Sequence, residues 1–175
     1  GFSFGYAASR SARAPVASAS PAPVIGLASP VPDDPPKAAE PVGAACPNNA
    51  AFAIHTYNPQ RLAVLKACVT VTGIVEVIRH EADGDEHVLL KLDPAFAGMT
   101  NSVNDSQQKG DLVLEPQCVF TASQADAIGP CAGSPPVPGL QLLRVGAHVK
   151  VTGPYVLDQQ HGWNEVHSVE LIEPA

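Results

Sequence analysis

The feature that most constrains the fold is a run of β-branched residues in the middle of the chain. From Cys68 to Arg79 the sequence reads CVTVTGIVEVIR, in which every second position from Val69 to Val77 is a valine or a glycine. Alternation with a period of two predicts a long β-strand that turns one face toward a core. Gly73 lies at its centre, and a glycine inside a strand indicates a bulge or a sharp bend. The core is therefore expected to be built from β-structure.

Four more segments have the apolar, turn-bounded pattern of strands. The turn at residues 82–85, Ala-Asp-Gly-Asp, predicts a hairpin after the first strand. Pro116 predicts an edge or a break in the third strand. Asn58 and Pro59 predict the start of a short helix over residues 58–67. The five predicted strands are residues 68–79, 87–93, 111–120, 145–156 and 162–172.

Composition and charge exclude several classes of protein. With 14 glycines and 18 prolines the chain is unsuited to a helical bundle. No apolar run reaches the roughly 20 residues of a transmembrane helix. Residues 46–175 hold seven Lys/Arg and fourteen Asp/Glu, so the whole net charge of −7 lies there. Because nucleic-acid binders gain affinity by neutralising phosphates, a nucleic-acid partner is disfavoured.

Residues 1–45 differ from the rest of the chain. They contain eight prolines and twelve alanines and too little apolar surface for a core. We expect an extended Pro/Ala-rich arm, followed by one β-barrel domain over residues 46–175. Phe2, Phe4 and Tyr6 alternate, so on a strand they would share one face. The arm is either a disordered linker or a segment that docks on a protein partner or a neighbouring copy.

The four cysteines indicate a compartment. Cys46 and Cys68 are neighbours in the sequence, as are Cys118 and Cys131, which favours these two disulfides among the three possible pairings. Disulfides imply an oxidising, extracytoplasmic compartment, periplasmic or secreted. A chain that starts at Gly1 fits a secreted protein whose signal peptide has been removed, or a trimmed chain. Four buried thiols in a cytosolic protein are the alternative.

Two segments resemble strands of the OB-fold family. Residues 69–75, VTVTGIV, and residues 145–153, VGAHVKVTG, look like its first and fourth strands. The resemblance covers residues 68–173. It implies an all-β, five-stranded Greek-key barrel with short helices, in which a coiled first strand serves both halves.

A narrower resemblance is to uncharacterised secreted bacterial proteins. These carry a C-V-x-V-T-G strand, a D-G-D-x-H hairpin and an H-G-W-x-E-[IV]-H segment. The matching residues here are 68–73, 83–87 and 161–167. Ser168 departs from the pattern, which has proline there. The resemblance implies a fold and export, and it implies no activity.

The C-terminal strand contains the residues best suited to bind a metal ion or to take part in catalysis. Trp163, Glu165 and His167 would point to one face of it. With His161 and His87, these side chains could bind a divalent metal such as zinc. Packing of the tryptophan under a loop, with the carboxylate and imidazole hydrogen-bonded to turn backbone or to each other, is the favoured interpretation.

These observations predict an exported, non-enzymatic OB-fold protein that makes protein contacts through its N-terminal arm. The sequence lacks a nucleophile elbow and nucleotide-binding loops, so enzymatic activity and an organic cofactor are disfavoured. One alternative is a metal-dependent hydrolase that uses His161, Glu165 and His167. The other is a module that binds oligosaccharides or single-stranded nucleic acid on the barrel face.

Overall fold

The computed structural model describes Cys46 and residues 54–175. The predicted arm over residues 1–45, with Phe2, Phe4 and Tyr6, lies outside the described residues. The strands are β1 (Leu62–His80), β2 (Glu86–Leu92), β3 (Leu112–Glu115), β4 (His148–Asp158), β5 (Asn164–His167) and β6 (Leu171–Pro174). The helices are α1 (Ser102–Gln107), α2 (Ile128–Cys131) and the 3-10 turns Pro59–Arg61, Pro94–Met99 and Leu140–Leu142.

The strands form one mixed sheet that closes into a ring. The order is β1-β2-β3-β5-β4, β4 pairs back onto β1, and β6 lies on the other edge of β4. All pairings are antiparallel except that of β3 with β5, which is parallel. The β-rich, barrel-like architecture expected from the strand pattern is therefore present.

The long strand β1 closes the ring because it pairs with two strands in succession. Residues 62–74 pair with β4, and residues 73–80 pair with β2. Gly73 belongs to both pairings, and a Cβ atom there would lie 2.4 Å from the carbonyl oxygen of Lys91. The absence of a side chain thus permits β1 to pass close to β2 where it changes partner.

The core fills the inside of the ring. Alternate residues of each strand point inward and are fully or almost fully buried, as the period-two pattern predicts. The inward residues of the ring strands are Val71, Val75, Val88, Leu90, Leu112, Leu114, Val149, Val151 and Val166.

Two predicted elements differ from the structure. The predicted helix over residues 58–67 is a single 3-10 turn, after which β1 begins at Leu62. Asn58 has a left-handed backbone and caps no amide, while the residues that follow pair with β4. The predicted fifth strand is two strands, because β5 pairs with β3 and with residues 155–157 of β4, whereas β6 pairs with residues 149–152 of β4. The His167–Ser168 peptide bond between them is cis.

Two disulfides are present, in the pairing favoured by sequence proximity. Cys46 is bonded to Cys68 in β1, and Cys118 is bonded to Cys131 in α2. Both bonds are consistent with an extracytoplasmic location. No helix among the described residues has the length and apolarity needed to cross a membrane.

Candidate functional site

The first half of β1 leaves apolar side chains in solvent. Val64 and Leu65 are 49% and 47% exposed, and residues 64–68 are exposed on both faces of the strand. This half pairs with β4 along one edge, whereas β2 begins to pair only at Gly73. Within the described part of the chain, no strand pairs with the other edge of residues 62–71. The result is an apolar strand edge that has no ladder partner among the described residues.

The segment before the barrel is attached at this exposed half. Cys68 lies in it and forms the disulfide with Cys46. The backbone N–H of Cys46 donates to the carboxylate of Glu170. Cys46 is therefore fixed at the exposed half of β1.

A cavity of about 280 Å³ lies outside the core, at the ends of several strands. His87 of β2 and Glu115 of β3 form one part of its wall, and Glu81 lies in the hairpin before β2. Arg61, His161, Trp163, Tyr57, Asp83, Gln124 and Gln160 complete the lining. His87 and Glu115 reach the cavity because the inward positions of their strands, Val88 and Leu114, belong to the core.

His87 is held by hydrogen bonds on both ring nitrogens. Its Nδ1 lies 2.8 Å from Glu115 Oε1 and 3.8 Å from Glu81 Oε1. Its Nε2 lies 3.1 Å from Gln108 Oε1. Since a carboxamide oxygen only accepts, the Nε2–H group donates to Gln108. The two glutamates therefore face Nδ1, the nitrogen that carries the lone pair in this tautomer of neutral imidazole.

The wall around His87 is rich in carboxyl groups. Burial raises the pKa of Glu115 well above its usual range, and the nearby carboxylates of Glu165, Glu81, Asp85 and Asp83 raise it further. The same neighbouring carboxylates favour a cation beside Glu115, and a cation bound there would favour the ionised form of Glu115.

Asp85 closes the hairpin next to this wall. Burial and then the neighbouring Asp83 raise the pKa of Asp85 to about 7, while the backbone N–H of Cys118 donates to it over 2.6 Å. The side chain thus ties the hairpin to the segment that carries the second disulfide. Asp85 also lies near the sulfurs of Cys118 and Cys131, but that disulfide leaves no thiolate for a metal.

The sequence-predicted residues of β5 lie on one face, as expected, and bind each other. Trp163 Nε1 donates to Glu165 Oε2 over 2.8 Å, and Glu165 Oε1 lies 3.0 Å from His167 Nδ1. Gln117 Nε2 lies 3.0 Å from His167 Nε2. This is the arrangement of the favoured structural interpretation.

His161 has a different partner. Its Nδ1 lies 2.7 Å from Asp158 Oδ2, which also takes the guanidinium of Arg61. Its ring stacks on Trp163 with the centroids 4.5 Å apart, and His87 meets the same indole edge-on at 5.7 Å. Among the described residues the predicted metal ligands do not form one group. His161 pairs with Asp158, which was not among them, and Glu165 contacts His167. His87 is grouped instead with Glu81 and Glu115.

Sequence reasoning missed Glu81 and Glu115. Glu115 had a usable signal, because it is the one charged residue in the otherwise apolar run LVLE of β3. A charged residue in a buried strand is seldom left without a partner. Glu81 had no such signal, since it lies in a hairpin where acidic residues are common.

Comparisons of the chain with protein-family models, with curated proteins and with solved structures gave no match.

Proposed function

We propose that this protein is an exported OB-type domain that acts in protein contact, and that the exposed edge of β1 is its docking surface. The OB assignment is supported by the closed order β1-β2-β3-β5-β4 and by a first strand that serves both sides of the ring. Export is supported by the two disulfides. The observation that carries the proposal is the free apolar edge at residues 62–71.

A free edge of this kind binds extended chain. Unpaired N–H and C=O groups form ladder hydrogen bonds with an added strand, and exposed side chains give the contact its apolar area. Val64 and Leu65 supply that area here. The occupant that we propose is the N-terminal arm, residues 1–45 of this chain.

The tether favours this occupant. The Cys46–Cys68 disulfide fixes one end of the arm at the docking edge, so binding takes place at a high effective concentration. Phe2, Phe4 and Tyr6 alternate in the sequence and would present three rings on one face of an added strand. On that face they would cover an exposed aliphatic side chain of β1.

Hydrogen exchange on the full chain tests the proposal. The variant Phe2→Ser/Phe4→Ser/Tyr6→Ser should accelerate exchange of amides in residues 62–71 by about tenfold or more, because docked amides exchange only through opening. The matched control Ala7→Ser/Ala8→Ser/Ala12→Ser should leave exchange unchanged. Equal exchange in the aromatic variant and the wild type overturns the assignment.

A second variant tests whether the docked arm belongs to the same chain or to a neighbouring copy. Val64→Lys/Leu65→Lys changes only exposed positions and should also release the amides of the edge. A molar mass by light scattering that falls in this variant assigns the arm to a neighbouring copy. A monomeric mass in both proteins, with release in the variant, assigns it to the same chain.

A further inference from the structure

We propose that His87, Glu115 and Glu81 form a binding site for one divalent transition metal ion of the zinc type at the wall of the cavity. One ligand atom from each, the His87 nitrogen and a carboxylate oxygen of each glutamate, lies within 4.8 Å of the others. The three residues come from β2, from β3 and from the hairpin that follows β1. The site is separate from the exposed edge of β1, and neither proposal depends on the other.

The spacing of the donor atoms suits such an ion. Zinc binds histidine nitrogen and carboxylate oxygen at about 2.0–2.2 Å, so tetrahedral ligands lie about 3.3 Å apart. The distances from His87 Nδ1 are 2.8 Å to Glu115 and 3.8 Å to Glu81, which bracket that value. Glu81 is 44% exposed, and its side chain can move by the small amount that closure requires.

The hydrogen bonds of His87 point its lone pair at the site. Gln108 accepts the Nε2–H, which fixes the ring and leaves the other nitrogen as the metal-binding atom. Nδ1 lies 2.8 Å from Glu115 Oε1, so an ion bound to Nδ1 also comes within reach of this carboxyl oxygen. A metal ion competes with the hydrogen-bonding proton for that position.

The surroundings complete the site. Glu165, Asp83 and Asp85 add negative potential around the three ligands. Arg61, which lines the same cavity, is paired with Asp158. The cavity of about 280 Å³ has room for an ion and for the waters that would fill its remaining coordination positions, at about 30 Å³ each. A histidine ligand favours zinc, cobalt or nickel over calcium and magnesium.

Calorimetry of the full chain with ZnCl₂, after removal of metal by dialysis against a chelator, tests the proposal. We expect one ion per chain in the wild type. Glu81→Gln should raise the dissociation constant for zinc about tenfold or more, because a neutral amide is a poor ligand for zinc. This substitution changes a half-exposed side chain, so the fold is retained. Glu173→Gln, at a glutamate that is 43% exposed, is the matched control and should bind like the wild type.

Three further measurements decide between the two possible sets of metal ligands. Glu115→Gln should abolish stoichiometric binding, and the visible spectrum of the Co²⁺-loaded wild type should show ligation that both glutamate variants lose. His161→Gln should bind zinc as the wild type does. Loss of binding in His161→Gln with retention in Glu81→Gln would assign the ion to the His161, Glu165 and His167 set and overturn the proposal. Absence of stoichiometric binding by the wild type would overturn it as well.

Discussion

Trp163 Nε1 donates a hydrogen bond to Glu165 Oε2 over 2.8 Å, and this contact joins the wall of the cavity to a carboxylate that is 1% exposed. The other oxygen of Glu165 contacts His167, so each oxygen has one partner. A buried carboxylate that loses a donor keeps its full desolvation cost. The hydrogen bond from the indole therefore offsets part of the cost of burying the carboxylate of Glu165.

Trp163→Phe should lower the free energy of unfolding by about 1–3 kcal/mol, because it retains most of the apolar contact and removes the donor to Glu165. Urea denaturation followed by circular dichroism measures the change, since the variant has no tryptophan fluorescence. Val145→Ala, at a side chain that is 68% exposed, is the control and should change stability by less than about 0.5 kcal/mol. An unchanged midpoint in Trp163→Phe would contradict the assigned role of the indole.

Gly73→Ala should destabilise the barrel by about 1–3 kcal/mol, because overpacking forces backbone shifts. The added methyl would lie 2.4 Å from Lys91 O and 2.9 Å from Leu90 Cγ. Thermal unfolding measures the effect. Gly129→Ala is the matched control, because nothing lies within 4 Å of its Cβ position. Two variants of equal stability would show that β1 does not need the close approach.

Cys118→Ala/Cys131→Ala should lower stability by about 3 kcal/mol, the value that the loop-entropy treatment gives for a closed loop of this size. The two residues are 13 apart in the sequence. Guanidinium denaturation under oxidising conditions measures the loss, with mass spectrometry to verify that the Cys46–Cys68 bond remains. Wild-type stability in the double variant would mean that contacts of α2 hold the loop without the disulfide.

Asp111→Asn should stabilise the protein above pH 6 and have no effect below about pH 4. Burial, and then the neighbouring Glu76, raises the pKa of Asp111 from 3.8 to about 6 in the folded state. A carboxyl group with a raised folded pKa binds its proton more tightly in the folded state. Its ionisation therefore lowers the free energy of unfolding. This loss is at its full size above the folded pKa, and it disappears as the pH falls to the unfolded pKa.

Melting temperatures at pH 8 and at pH 4 provide the measurement. The Asn variant should melt about 2–4 °C higher than the wild type at pH 8. Asp105→Asn, in the exposed first turn of α1, is the control and should show no gain. A gain for Asp111→Asn that is equal at both pH values would rule out titration of this carboxyl as its cause.

The local sequence pattern was sufficient to predict the structure where buried residues recur at a regular interval along the chain. The alternation around Gly73 predicted the strand, its inward face and its bend, and the Asp-Gly turn predicted the hairpin to β2. The same reasoning failed at Leu62, where an apparent helix start precedes a strand. Pairing with β4 overrides the helix propensity there, because ladder bonds outweigh a preference worth only tenths of a kcal/mol per residue.

The sequence by itself determined the β class, the residues that fill the ring and the proximity that favours Cys118 with Cys131, because each follows from short-range periodicity or spacing. Only the tertiary structure decided that His87 meets Glu115, and that Arg61 faces Asp158. Those encounters depend on the antiparallel registers of β2 with β3 and of β1 with β4. Register and strand order are set by the packing of the whole ring, and no local pattern of residues encodes them.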